Sequence, residues 1–177
     1  MAQSQGVRAD TPRPLSREAV LADGLFAGII GAGIVAVWFF LIDLLHGRPL
    51  YTPLLLGNLL LHGPQAMSAT MPLVPQPVAV YTGVHVVAFL LVGIAASYMW
   101  SLFDLHAGMG IALLFAFVLF EAGFFILDLA VGHKLLGYLG LAAVGVGNVL
   151  AAAGMAFYLH RQHPGAIANM KSLWAEE

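Results

Sequence analysis

Residues 21–45 read LADGLFAGIIGAGIVAVWFFLIDLL, with one acid near each end and no charge between. A bilayer's hydrocarbon core takes about 20 mostly apolar residues in helical form. This stretch is longer than that. Upstream, Ser16 is placed to cap a helix, and Leu15 and Val20 to form a hydrophobic staple. The stretch therefore predicts a membrane-spanning helix, too long for the apolar core of a cleavable signal.

Three further stretches have the same character, Pro77 to Leu102, Gly108 to Val131 and Leu135 to Leu159. Composition agrees. The 177 residues are 60% hydrophobic and 9% charged, with a mean hydropathy of +0.90. A soluble domain carries about 25% charged residues to cover its surface, so lipid is the solvent for most of this one. The expected fold is an all-α bundle of four transmembrane helices over residues 17–163. Residues 1–16 and 164–177 are expected to form polar cytoplasmic ends.

Arg8, Arg13, Arg17, Arg161 and Lys171 flank the two ends, whereas Arg48 and Lys134 lie in the loops opposite. The positive-inside rule places both termini in the cytoplasm. The general character is that of a small bacterial inner-membrane protein. The loop from Gly47 to Gln76 is the longest. Thr52-Pro53 reads there as a cap and first turn, and Leu54 to His62 is apolar but too short to span. A short interfacial helix in the outer loop follows.

Two segments echo each other, FFLIDLLHG at Phe39 to Gly47 and FFILDLAVG at Phe124 to Gly132. Each is followed by a cation, Arg48 or Lys134, and Tyr81 and Gly83 correspond to Tyr138 and Gly140. The pattern suggests two tandem helical hairpins related by an axis along the membrane normal. Gly24 and Gly28 have the four-residue spacing that lets helices approach closely, and they are expected to pack the bundle internally.

With a net charge of -2 there is no basic field for nucleic acid. With no cysteine there is no thiol chemistry and no iron–sulfur cluster. Ser68, Ser97 and Ser101 stand in no nucleophile context.

Ionisable groups inside lipid are costly and need a partner or a purpose. From helix rise, Glu121 and Asn148 fall within a few ångström of the midplane, His85 about 7 Å toward the outside, and Asp128 and Asp43 about 12–14 Å out. His46, His62 and His133 follow at the outer boundary, and the inner half holds no comparable set. The residues describe a polar funnel opening outward.

Three readings result. The first is a non-enzymatic membrane subunit or binding module without a cofactor. A ligand or partner engages its funnel, with Glu121, Asn148, His85 and Tyr81 as ligand or proton site. Its partners are the lipid bilayer and another membrane protein or a second copy. The runner-up is a metal or haem redox protein using Asp43, His46, His85, Glu121 and Asp128, since carboxylates with imidazoles suit zinc, iron or manganese. The third is a proton-coupled transporter centred on Glu121, because lipid disfavours the charged carboxylate and Asn148 can bond the neutral one.

Overall fold

The computed structural model describes residues 16–66, 71–103 and 139–163, together with residues 126, 129, 130 and 137. Helix α1 runs Arg17–Leu45, α2 Tyr51–His62, α3 Pro75–Phe103 and α4 Leu141–Gln162, with a single 3-10 turn at Pro64–Ala66. No strand occurs among the described residues. Helices α1, α3 and α4 are long and apolar enough to cross a bilayer. The expected third span, Gly108 to Val131, lies almost wholly outside the described residues, as do both polar ends apart from Ser16.

Local chemistry sets the helix limits. Ser16 Oγ accepts the amide of Ala19 and caps α1, as its position suggests. The fourth span starts later than its expected Leu135, because Gly140 takes a positive φ of 81° and α4 begins one residue on. The loop helix starts at Tyr51, earlier than the Thr52-Pro53 reading, behind a left-handed Leu50 with φ 66°. Thr52 thus stands inside the first turn of α2 and does not cap it.

Helix α1 is the axis of the described structure, packing along both α3 and α4, while those two scarcely touch. A Cβ on Gly24 would stand 2.5 Å from Ile94 Cα, and one on Gly28 2.5 Å from Phe89 O. Gly93 fills the complementary place, where a Cβ would run into Gly24 and Gly28. The four-residue spacing therefore serves internal packing, and the backbones of α1 and α3 lie in contact. Lipid gives no hydrophobic drive between helices, so such close packing is what holds them.

The pairings also fix direction. Gly24 meets Ile94, while Ala32 meets His85, so α1 and α3 are antiparallel. Trp38 donates to Ala143 O at 2.8 Å and Asp23 meets Tyr158, so α1 and α4 are antiparallel too. Helices α3 and α4 therefore run parallel. The three meet at Gly31, where a Cβ would press on both Met155 Sδ at 2.6 Å and Phe89 Cδ1 at 2.8 Å.

The nineteen residues from Gly24 to Ile42 carry no ionisable side chain. They rise about 28 Å as helix, close to the ~30 Å of a hydrocarbon core. Asp23 and Asp43 thus mark two boundaries on α1.

Candidate functional site

Asp43 ends the apolar stretch of α1 and is 4% exposed. Its Oδ2 accepts the Thr52 amide at 2.7 Å and its Oδ1 the Thr52 hydroxyl at 2.9 Å. The first amides of a helix have no partner within it. A carboxylate from α1 therefore caps α2, and its negative charge faces the positive end of the α2 dipole. The Arg48 guanidinium lies over the Tyr51 ring, 4.2 Å from its centroid. Gly57 seats α2 on Pro77, at a contact where a Cβ would meet backbone.

His85 Nε2 donates to Ala32 O across the α1–α3 interface at 3.2 Å, since a carbonyl can only accept. That leaves Nδ1 of the neutral ring to accept from the Tyr81 hydroxyl, 3.3 Å away. Phe89 stands against the other side of the imidazole, with ring centroids 4.8 Å apart. The stripe Tyr81, His85, Phe89 is thus a packed row along one helix face. Ala32 is one residue from the centre of the uncharged stretch, so His85 sits deeper than the expected 7 Å off the midplane. The reason is that α3 continues past that stretch at its C-terminal end, which shifts its own mid-point away from that of the slab.

The expected site residues separate into distinct places. From Ala32 to Asp43 is eleven residues along α1, an axial distance of about 16 Å. Asp43 and His85 therefore do not share a centre. His46 lies beyond Asp43 at the end of α1, exposed, with Nδ1 donating to Ile42 O at 2.8 Å. Asn148 is half-buried on α4, beside Gly147, against which the Trp38 indole packs. Glu121 and Asp128 lie outside the described residues, as do His133 and Tyr138. Among the described residues, no three His, Asp or Glu side chains are grouped to hold a metal.

One group of ionisable residues escaped the sequence reading, which left the inner half without polar partners. Asp23 on α1 receives the Tyr158 hydroxyl at 3.4 Å, and His163 Nε2 stands 3.5 Å from its Oδ2. His160, one turn before His163, has a buried Nδ1 that makes no hydrogen bond among the described residues. The available signal was that Asp23 bounds the uncharged stretch just as Asp43 does. Its partners emerge only once α1 and α4 are set antiparallel and in register.

No protein family, curated protein or solved structure matches the chain. Its own residues carry the functional reading.

Proposed function

We propose that the chain is a non-enzymatic membrane subunit or binding module, a four-span scaffold on which another membrane component assembles. The observation that carries this reading is how its buried polar groups are used. Asp43 holds α2, His85 holds α1 against α3, and Asp23 reaches α4, so each fastens one helix to another. Meanwhile Phe26, Ile29, Val37 and Phe40 form an open apolar face along α1. In lipid such a face suits a partner's helix as well as an acyl chain.

The parallel course of α3 and α4 supports the fourth span. A chain leaving one end of α3 and entering α4 at the other must traverse the bundle an odd number of times. Gly108 to Val131 is apolar and long enough to do so once. The excess of Arg and Lys near the N-terminus and beyond α4 supports a cytoplasmic location for both. Arg48, His46 and the α2 end then face outward, toward the periplasm of an inner membrane. Glu121 and Asn148 remain the proposed ligand or proton pair of the interior.

Extraction of the membrane into polymer-bounded nanodiscs, followed by native mass measurement, tests the reading. A stoichiometric second subunit, of this chain or another, is the expected result. A monomer carrying only lipid would contradict it. A Soret band or one equivalent of metal in the same sample would overturn it in favour of a redox centre.

A further inference from the structure

Helix α2 is enclosed for most of its length and then stands clear. Residues 51–59 are buried or half-buried, but Leu60, Leu61 and His62 are all exposed. Leu60 is 51% and Leu61 36% exposed, whereas Leu55, on the same short helix, is 0%. Successive residues of a helix point about 100° apart, so three exposed in a row do not make one face. They are a whole last turn that projects past its neighbours.

Helix contacts give the depth of that turn. Gly24 meets Ile94 and Gly28 meets Leu90, so each step along α1 is matched by one back along α3. The same register brings Pro77 level with Leu41, eight residues from Gly33 at the centre of the uncharged stretch, or about 12 Å. Gly57 rests on the Pro77 backbone. Thr52 is held by Asp43, ten residues from Gly33, or about 15 Å. Thr52 and Gly57 thus lie about 7.5 Å apart along α2 but only about 3 Å apart in depth. Helix α2 runs close to the membrane plane, at the rim of the ~30 Å hydrocarbon core, with its C-terminal end the deeper.

Its chemistry suits that depth. A helix lying on a membrane surface keeps a strongly polar face toward water. Between Thr52 and His62 the only polar side chain of α2 is Asn58, which turns back onto Leu54 O and Met71 Sδ. In lipid, backbone groups must find partners within the protein. At the start of α2 the Thr52 amide goes to Asp43. At its finish the Gly63 amide donates to Leu59 O, and the Gln65 side chain donates to His62 O.

We propose that α2 is a half-membrane helix whose last turn wedges among the acyl chains of the leaflet at the Asp43 end of the bundle. Its partner is lipid itself. Leu60 and Leu61 make the contact, and the chain turns back at Gly63, where φ is 79°. The segment expected to lie on the surface of the bilayer is instead embedded in it, and it widens the protein in that leaflet.

The test uses the full chain, alone in vesicles of phosphatidylcholine and phosphatidylglycerol, where the absence of native cysteine allows clean labelling. Nitroxides at Leu60→Cys and Leu61→Cys, in separate variants, are challenged with oxygen, which partitions into hydrocarbon, and with a nickel chelate, which stays in water. Leu41→Cys, 47% exposed and level with Pro77, is the reference for lipid at that depth. His46→Cys, exposed beyond Asp43, is the reference for water. Both α2 labels should give the oxygen-to-nickel ratio of Leu41→Cys. A ratio matching that of His46→Cys would put the turn in water and overturn the wedge. Exclusion of both reagents would overturn it too, since protein would then cover the turn. Should one variant fail to fold, the other decides alone.

Discussion

Asp43 shows how a costly buried charge becomes useful. Both oxygens are occupied by Thr52, and the carboxylate replaces the water that the first amides of α2 would otherwise need. Removing it strands those donors in a nearly dry place. Asp43→Ala should therefore lower stability by about 1–3 kcal/mol, read by reversible unfolding in detergent. Thr52→Val should cost less, since it keeps the amide bond and loses only the hydroxyl. A double variant should cost less than the sum, because the two share one interaction; strict additivity would show that the cap is not what holds α2. His85 belongs at the same scale. Its two nitrogens are engaged by Ala32 and Tyr81, so His85→Ala should cost about 1 kcal/mol, in the range of interhelical hydrogen bonds in membranes. A loss far above that, or a coincident loss of bound metal, would give the imidazole a different role. The sequence made Asp43 and His85 conspicuous as polar groups in apolar helices. It gave no hold on their partners, because a cap nine residues away depends on a loop geometry set by Leu50 and Gly57, and a carbonyl partner leaves no trace in composition.

Among elements, the packing of the long helices depends on which glycines touch a neighbour. Gly24, Gly28 and Gly93 lie where α1 and α3 meet backbone to backbone, while Gly33 and Gly145 have nothing among the described residues near the place of a Cβ. Gly28→Ala should push the helices apart and cost about 1–3 kcal/mol, as overpacking does. Gly33→Ala and Gly145→Ala should be neutral or stabilising, by up to about 1 kcal/mol of helix propensity. Equal effects at all three would mean that the α1–α3 contact is not the one described. The four-residue spacing of Gly24 and Gly28 was legible as a close-approach motif, and so were three long apolar helices with their approximate limits. Helix rotation and register were not, since an apolar helix in lipid has no strong hydrophobic face to orient it. That is why Asp23, Tyr158 and His163 went unread as a group. Asp23 stands out only as a boundary of the uncharged stretch, Tyr158 and His163 not at all, and only the antiparallel register of α1 and α4 brings them together.

At the scale of the whole molecule, α1 is a central helix fastened near both ends by carboxylates, to α2 through Asp43 and to α4 through Asp23, and in its middle to α3 through His85. The antiparallel pairing of α1 with both long neighbours orders the helix ends in space. Ser16, Phe103 and His163 lie toward one end, and His46, Gln65 and Gly140 toward the other. If the uncharged slab between Asp23 and Asp43 is the thickness of the bilayer, those two sets face opposite compartments. Nothing in this depends on what the chain binds, and every functional proposal depends on it. The deciding measurement is the reactivity of single cysteines at Ser16, His46, Gln65, Gly140 and His163 toward a membrane-impermeant thiol reagent, in sealed vesicles of known sidedness. The expected result is labelling of Ser16→Cys and His163→Cys from one side only, and of His46→Cys, Gln65→Cys and Gly140→Cys from the other only. Labelling of Ser16→Cys and His46→Cys from the same side would contradict the account, because α1 would then not cross the membrane.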